Sequence, residues 1–328
     1  MADKNPAQLA SSLETHVRKL AGTQLPRSYM HMESLNAAAD YVEAELKKAG
    51  ATTKRQEYEA SGKTFRNIVC RIETGNPMTV LLGAHYDVCG QGPGADDNAS
   101  GVAGLIELAR ILHTNKGRLK YSVEIVAFTN EEPPFFRTKA MGSYIHAQSI
   151  LNRKQTIEYM VVLEMIGFYS DKAESQKYPI ATMRQTYPNT GNFVAVVGNA
   201  SSADTVAGIM QAFQKNATLD CRSLIAPPSL QGMDFSDHLN YWALGVKAVM
   251  ITDTAFYRNN NYHERTDTPE TLNYSKMSEV VTGLAASFYR SEAIESKHAG
   301  RSEQGSGGNA HEPSSLPPTA PTKTRATP

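Results

Sequence analysis

This sequence of 328 residues has little cysteine, no excess of either charge and no long hydrophobic run. Its three cysteines, Cys70, Cys89 and Cys221, cannot all pair, and their spacing fits no zinc-finger pattern, so we interpret them as reduced structural thiols. The 33 basic residues balance the 33 acidic ones, which indicates neither a nucleic-acid partner nor binding to a charged membrane surface. No stretch of eighteen apolar residues is present, so no membrane-spanning helix is expected.

The start of the chain, Met1 to Pro6, lacks the basic and then apolar segments of a secretory signal peptide. We therefore expect a cytoplasmic protein. Apolar residues make up 41% of the chain, which supports a substantial core. From about residue 298 the composition shifts to Gly, Ser, Pro and Thr with few large apolar side chains. This predicts one folded domain over residues 1–297 and a disordered tail over residues 298–328.

Segments typical of strands alternate with segments typical of helices over most of the chain. Continuous apolar runs predict buried strands at 79–84, 122–129, 159–165 and 246–252. Apolar residues at helical spacing predict helices at 7–21, 35–49, 99–113, 141–151, 203–216 and 272–290, with a short one at 237–244. Further strands are predicted at 52–58, 65–72 and 193–198. This order predicts an α/β fold whose sheet is at least partly parallel.

Residue types that bind metal ions follow each of the four buried strands. His85 ends the first strand, Glu131-Glu132 follow the second, Glu164 ends the third, and His263 lies in a loop after the fourth. Open α/β sheets place their functional sites at the carboxyl ends of the strands. The sequence therefore predicts that these side chains converge at one edge of the sheet.

Carboxylates near the first strand extend this set. Asp87, two residues after His85, is placed to accept the other ring N–H and to fix the ring tautomer. Asp96 and Asp97 follow Gly92-Pro93-Gly94, where the backbone bends sharply. Capping of the following helix is the alternative for this pair. Because one carboxylate has two oxygens, we assign Asp96 the role of bridging two cations.

The acidic pair Glu131-Glu132 is the most specific of these features. Adjacent carboxylates at a strand end repel each other and are costly to desolvate unless a cation lies nearby. Neighbouring side chains point in different directions, so we predict Glu132 as a metal ligand and Glu131 as a general base. A solvated acidic turn is the alternative for this pair, a structural ion pair for Glu164, and simple exposure for His263.

The predicted ligands thus combine two histidines with three carboxylates. They are His85, Asp96, Glu132, Glu164 and His263. Nitrogen and oxygen ligands without cysteine are typical of catalytic rather than structural zinc sites. Two metal ions about 3.5–4 Å apart activate a water molecule and polarise a carbonyl group. Glu131 is then expected to take the proton of that water and to pass it to a leaving nitrogen.

Several of these segments resemble the co-catalytic di-zinc aminopeptidase family, which contains the bacterial leucyl-type aminopeptidases and has the glutaminyl cyclases as relatives. The similar segments are Gly83–Asp87, Gly94–Gly101, Asn130–Glu132 and Tyr262-His263. The resemblance spans about residues 80–270. It implies a single-domain three-layer α/β sandwich with a mixed, largely eight-stranded sheet and helices on both faces.

The resemblance also implies roles for individual residues. His85, Asp96 and Glu164 would hold one zinc ion, and Asp96, Glu132 and His263 the other, with a cis peptide bond between Asp96 and Asp97. Many family members carry Asp where this chain has Glu164. Residues 1–297 would form a zinc-peptidase catalytic domain that removes N-terminal residues from peptide substrates.

Other positions and functions stay open at this point. The family often uses a tyrosine or histidine to stabilise the oxyanion, and Tyr257, Tyr262 and His238 are the candidates here. A glutaminyl-cyclase-like acyltransferase is one alternative, but those enzymes commonly place tryptophan before the last histidine, whereas this chain has Tyr262 there and its single tryptophan is Trp242. A non-catalytic binding protein of the same fold is the other alternative. Side-chain preference and oligomeric state are not determined.

Overall fold

The structure, a computed structural model, describes residues 4–290, which contain eight strands and seven α-helices. The strands are β1 (Thr52–Ala60), β2 (Lys63–Ile72), β3 (Thr79–His85), β4 (Ser122–Phe128), β5 (Ile157–Glu164), β6 (Val194–Gly198), β7 (Cys221–Ile225) and β8 (Ala248–Thr252). The helices are α1 (Pro6–Ala21), α2 (Met32–Lys48), α3 (Gly101–Thr114), α4 (Gly142–Arg153), α5 (Ala203–Asn216), α6 (Leu239–Trp242) and α7 (Tyr274–Ala286). The predicted tail over 298–328 lies outside the described residues.

All eight strands belong to one mixed sheet, in the order β1-β2-β4-β3-β5-β8-β6-β7. The four central strands, β4, β3, β5 and β8, run parallel to one another. The β1–β2 hairpin and strand β6 pair antiparallel with the two sides of this centre, and β7 lies parallel to β6 at the edge. The mixed eight-stranded sheet confirms the fold that the resemblance implied.

Helices cover both faces of the sheet. Because successive side chains of a strand point to opposite faces, Val123 and Ile125 of β4 pack on the layer that contains α1, α3 and α7. Val126 and Phe128 of the same strand pack with Tyr241 and other side chains of α4 and α6 on the opposite face. The apolar runs of the central strands are explained by this arrangement, since both faces are buried.

The central strands end at a common level, and this positions the loops that follow. His85 at the end of β3 is paired with Phe128 at the end of β4, and Glu164 at the end of β5 is paired with Thr252 at the end of β8. The chain leaves all four strands at the same edge of the sheet.

Among residues 4–290, no helix is long and apolar enough to cross a membrane.

Candidate metal centre

Acidic and histidine side chains gather in one cluster at the carboxyl edge of the central strands. Its members are His85, Asp97, Glu131, Glu132, Glu164 and His263. His85 Nε2 lies 3.3 Å from Glu164 Oε2 and 3.9 Å from Glu131 Oε2. His263 Nε2 lies 3.3 Å from Glu132 Oε2. The structure therefore brings together four of the five predicted ligands and the predicted base.

The carboxylate between the two histidines belongs to Asp97 and not, as predicted, to Asp96. Asp97 places Oδ1 at 3.4 Å from His85 Nε2 and Oδ2 at 3.1 Å from His263 Nε2. One oxygen thus faces each histidine, which is the geometry required of a bridging ligand. The cis peptide bond also lies one residue later than predicted, because it joins Asp97 to Asn98 rather than Asp96 to Asp97.

Asp96 is buried but turned away from the cluster. Its Oδ1 accepts a hydrogen bond from the Gly167 backbone N–H at 2.9 Å, and its Oδ2 accepts one from Asn259 Nδ2 at 2.8 Å. Burial, followed by the neighbouring Asp253 carboxylate, raises the pKa of Asp96 well above its usual range. Adjacent side chains in this loop point in different directions, so only one aspartate of the pair can face the histidines.

Two further carboxylates hold the acidic pairs by their backbone. Asp87 accepts hydrogen bonds from the N–H groups of Glu131 at 3.2 Å and Glu132 at 3.1 Å, one on each oxygen. Asp267 does the same for the N–H groups of Asp96 at 2.9 Å and Asp97 at 3.1 Å. The backbone of each acidic pair is therefore fixed by a carboxylate from a different part of the chain.

The contact predicted between Asp87 and the His85 ring is mainly made by the backbone. His85 Nδ1 lies 3.2 Å from the main-chain oxygen of Asp87 and 3.6 Å from its Oδ1. A carbonyl oxygen can only accept, so Nδ1 carries a proton, and Nε2 is the ring nitrogen that faces the cluster and can bind a cation when it is unprotonated. Asp267 was missed because nothing in Thr266-Asp267-Thr268 distinguishes it from an exposed turn.

The segment before α6 completes the surroundings of Glu164. The Ser236 hydroxyl donates to Glu164 Oε2 at 2.7 Å. This serine therefore positions the Glu164 carboxylate, which stands where many family members carry the shorter Asp. The adjacent Asp237 is fully buried, and burial raises its pKa to about 7. The predicted helix over 237–244 is only the short α6, and Asp237 lies before it within electrostatic reach of His85 and Glu164.

Burial and mutual repulsion shift the proton affinities of the clustered groups. Burial raises the pKa of Glu131 well above its usual range and that of Glu132 to about 8. Burial acts in the same direction on Asp97, but hydrogen bonds with His263 and His85 outweigh it and leave its pKa below the usual range. For His85, burial disfavours the charged ring, but Glu164 and the other carboxylates raise its pKa well above normal.

The donor set fits divalent cations. His85 is fully buried, and among the described residues its Nε2 has no well-aligned hydrogen bond although three carboxylates surround it. Buried carboxylates that crowd together need a positive partner, and two imidazoles do not neutralise Asp97, Glu132 and Glu164. Imidazole nitrogens and carboxylate oxygens are the ligands of catalytic zinc. The arrangement fits two cations that share Asp97.

Of the three candidates for oxyanion stabilisation, Tyr262 alone is in contact with the cluster. Its ring stacks on that of His263 with centroids 3.8 Å apart. The Tyr257 hydroxyl donates to the Gln231 carbonyl at 3.2 Å. His238 Nε2 bonds the Met233 carbonyl at 2.7 Å, away from the cluster.

A largely apolar pocket opens beside the cluster. Glu164 and Tyr262 form part of its wall. The remaining lining comes mainly from residues 176–187, 222–235 and 250–257 and includes Met183, Tyr187, Met233, Phe235, Met250 and Phe256. Part of the long connection between β5 and β6 therefore contributes one wall of the pocket.

Sequence comparison matches the chain to a peptidase family. The sequence profile of peptidase family M28 matches residues 67–287, about two thirds of the chain. Uncharacterized protein YfbL of Escherichia coli is 42% identical over 288 residues, which cover 85% of this chain and 88% of that protein. Leucine aminopeptidase 1 of Grosmannia clavigera is 21% identical over 81% of this chain and 63% of its own length.

Solved structures share the fold at low sequence identity. LapB from Legionella pneumophila superposes with a TM-score of 0.65 at 18% identity, over 86% of this chain and 71% of that one. The glutaminyl cyclase of Bacteroides thetaiotaomicron gives a TM-score of 0.64 at 17% identity, over 86% and 98% of the two chains. The profile match over two thirds of the chain shows that it belongs to peptidase family M28.

Proposed function

We propose that this protein is a zinc-dependent aminopeptidase that hydrolyses the first peptide bond of peptides. The observation that carries this proposal is the Asp97 carboxylate, with one oxygen directed at each of two histidines. Each histidine has a second carboxylate beside it, Glu164 for His85 and Glu132 for His263. The leucine aminopeptidase among the relatives supports the exopeptidase activity.

The residues would hold two zinc ions in two overlapping sets. His85, Asp97 and Glu164 form one set, and Asp97, Glu132 and His263 form the other. When bound, such an ion pair polarises the scissile carbonyl group and makes water a stronger nucleophile. Ser236, Asp87 and Asp267 keep the ligand side chains in place through the hydrogen bonds described above.

Glu131 acts as the general base in this proposal. Its Oε2 is 3.9 Å from His85 Nε2, further than the carboxylate oxygens of Asp97 and Glu164, so it borders the cluster without closing on the ring. Burial raises the pKa of Glu131 above that of a free carboxyl group, although the nearby His85 acts in the opposite direction. A carboxylate with a raised pKa is a stronger base than a free one. Glu131 then accepts a proton from the attacking water and delivers it to the leaving nitrogen.

The apolar pocket accepts the side chain of the N-terminal residue. It adjoins Glu164 and is walled by methionine and aromatic side chains such as Met233, Met250 and Phe256, which favour a large apolar side chain. We assign Tyr262 the role of donating a hydrogen bond to the developing oxyanion, because its ring stacks on His263 and lines the pocket.

The test is hydrolysis of aminoacyl-arylamides by the purified protein. We expect release of arylamine that is fastest for large apolar residues, stops on chelation and returns with Zn²⁺. Glu131→Gln should lower kcat by a factor of about 10²–10⁴ with unchanged metal content, since a base and not a ligand is lost. Glu57→Gln on the exposed face of β1 is the matched control.

Hydrolysis that survives chelation, or a Glu131→Gln protein with full activity, would count against this mechanism. A cyclisation assay on a peptide with N-terminal glutamine separates the acyltransferase alternative. We expect no cyclised product at enzyme concentrations that cleave the arylamide.

A further inference from the structure

The thiol of Cys89 lies on the His263 side of the metal centre. Its sulfur, a Glu132 carboxylate oxygen and a His263 ring nitrogen are all within 4.8 Å of one another. Cys89 is half-buried, and together with Asp97 and His263 it lines a small cavity at the edge of the centre. A sulfur ligand, two carboxylates and an imidazole therefore surround the same space.

The backbone holds Cys89 in this position. Its own N–H donates to Glu132 Oε1 at 3.1 Å, which leaves Oε2 of that carboxylate directed at His263. The preceding residue, Val88, bonds the main-chain oxygen of Arg27 at 3.1 Å. The fully buried Arg27 side chain in turn donates to the carbonyl groups of Tyr86 and Pro93, on either side of Cys89. The loop is thus fixed at both ends.

The other two cysteines have different surroundings. Cys70 is buried in β2 within the core, and Cys221 in β7 contacts the Met210 sulfur at 3.4 Å. Among residues 4–290, the groups of side chains close enough to hold a metal ion include Cys89 but neither Cys70 nor Cys221. The surroundings of Cys70 and Cys221 fit the predicted structural thiols, whereas Cys89 borders the metal centre.

The two cation positions also differ in their donor sets. Asp97, Glu132 and His263 supply three ligands, whereas zinc is most often four-coordinate. The position at His85 has Glu164 and the base Glu131 around it and no sulfur among the described groups near it. A thiolate at one position only would make the two positions chemically unequal.

We propose that Cys89 is an additional ligand of the cation held by Asp97, Glu132 and His263. This inference rests on the proposed function. The thiol binds as thiolate, and its proton is released to solvent when the cation enters. A soft sulfur ligand favours Zn²⁺ and Cd²⁺ over Mn²⁺ and Mg²⁺. This position should therefore bind the softer ions more tightly than the position at His85.

Absorption spectroscopy of the cobalt-substituted protein tests this directly. We expect metal-free protein titrated with Co²⁺ to develop one thiolate-to-cobalt charge-transfer band in the near ultraviolet per chain. Cys89→Ser should abolish this band and keep the visible cobalt bands, while Cys221→Ser should keep both. Cys89→Ser should also weaken Cd²⁺ binding on the order of 10-fold or more, since even an outer-shell partner of a ligand contributes that much.

A second measurement needs no variant. Iodoacetamide should label Cys89 in the metal-free protein and not after two equivalents of Zn²⁺, as read by peptide mass spectrometry. Absence of the band at full Co²⁺ loading, or equal labelling with and without Zn²⁺, would overturn the proposal. If the band is absent but the protein hydrolyses arylamides, the proposed function stands and only the Cys89 ligand is rejected. If the band is present but no arylamide is hydrolysed, the proposed function is rejected and Cys89 stays a metal ligand.

Discussion

At the scale of single residues, Asp97 and Asp96 are neighbours of the same type with opposite surroundings. Asp97 faces both histidines, whereas Asp96 accepts hydrogen bonds from Gly167 and Asn259. A substitution that keeps the shape of the side chain but removes its charge should therefore act very differently at the two positions.

We expect Asp97→Asn to bind both zinc ions at least about 100-fold more weakly. Removing a residue that only hydrogen-bonds to a metal ligand typically weakens metal binding 10–100-fold, and removing the ligand itself should weaken it more. Asp96→Asn should bind two ions with a much smaller loss of affinity, because the Asp96 side chain bonds Gly167 and Asn259 instead of facing the two histidines. Chelator competition and elemental analysis measure both. Equal losses in the two variants would contradict the assignment.

A second residue-scale prediction concerns Asp267. Its two oxygens accept the backbone N–H groups of Asp96 and Asp97, and Asn at this position would direct an amide N–H₂ group at one of them. We expect Asp267→Asn to weaken zinc binding roughly 10–100-fold, as is typical for outer-shell partners of metal ligands. Asp171→Asn is the control, since the Asp171 side chain is 82% exposed. Unchanged affinity in Asp267→Asn would mean that the loop holds its position without this acceptor.

These residues also show what sequence alone can and cannot determine. The residue types and the strands that deliver them were predictable, because an apolar run that ends in a metal-binding residue is typical of a buried strand that reaches a site at the sheet edge. Which member of Asp96-Asp97 faces the histidines was not, since it depends on loop dihedral angles that the residue types do not specify. Asp267 and Ser236 act through tertiary contacts with Asp97 and Glu164, and no local pattern marks such contacts.

At the scale of secondary structure, the strands buried on both faces were the most predictable elements. β3, β4, β5 and β8 lie within a few residues of the predicted runs. β7 was missed because none of its five residues is fully buried at the sheet edge and they include the polar Arg222 and Ser223. The predicted helix at 237–244 is reduced to the single turn α6.

One buried charge network joins α4 to the sheet and gives an element-scale prediction. Glu124 of β4 is 3.0 Å from His146 Nε2 and 2.9 Å from an Arg153 nitrogen, both on α4. Burial acts to raise the pKa of Glu124, but the hydrogen bond with His146 and the contact with Arg153 outweigh it and lower the pKa to about 2. A depressed carboxyl pKa stabilises the fold above the unfolded value of about 4.5 and loses that contribution as the pH falls toward 2.

The metal-free protein should therefore lose roughly 3 kcal/mol of unfolding free energy between pH 5 and 2 from this one group. Glu124→Gln should flatten that part of the profile and lower stability at pH 7. Urea unfolding followed by circular dichroism measures both effects, with Glu57→Gln as the exposed control. If the unfolding free energy of Glu124→Gln fell with acid as steeply as that of the native protein, the network would contribute nothing to folding.

At the scale of the whole molecule, the centre joins loops that follow four strands, so its charge state affects the stability of the entire fold. Without cations, burial raises the pKa of Glu132 to about 8 and also raises those of Glu131 and Glu164. The folded chain then binds more protons than the unfolded chain at neutral pH. By linkage, these three groups stabilise the fold of the metal-free protein at low pH, and we expect that contribution to be lost as the pH rises from about 4.5 through 8.

Bound zinc reverses this dependence, because it replaces the protons and compensates the carboxylates that would otherwise be ionised and buried together. We expect the difference in Tm between zinc-loaded and metal-free protein to widen steadily from pH 5.5 to 8, corresponding to a difference on the order of a few kcal/mol. Calorimetry in buffers of different ionisation enthalpy should show net proton release on zinc binding. Asp97→Asn should show neither effect. A Tm difference that stays constant or narrows with rising pH would mean that the clustered carboxylates are not the groups that zinc neutralises.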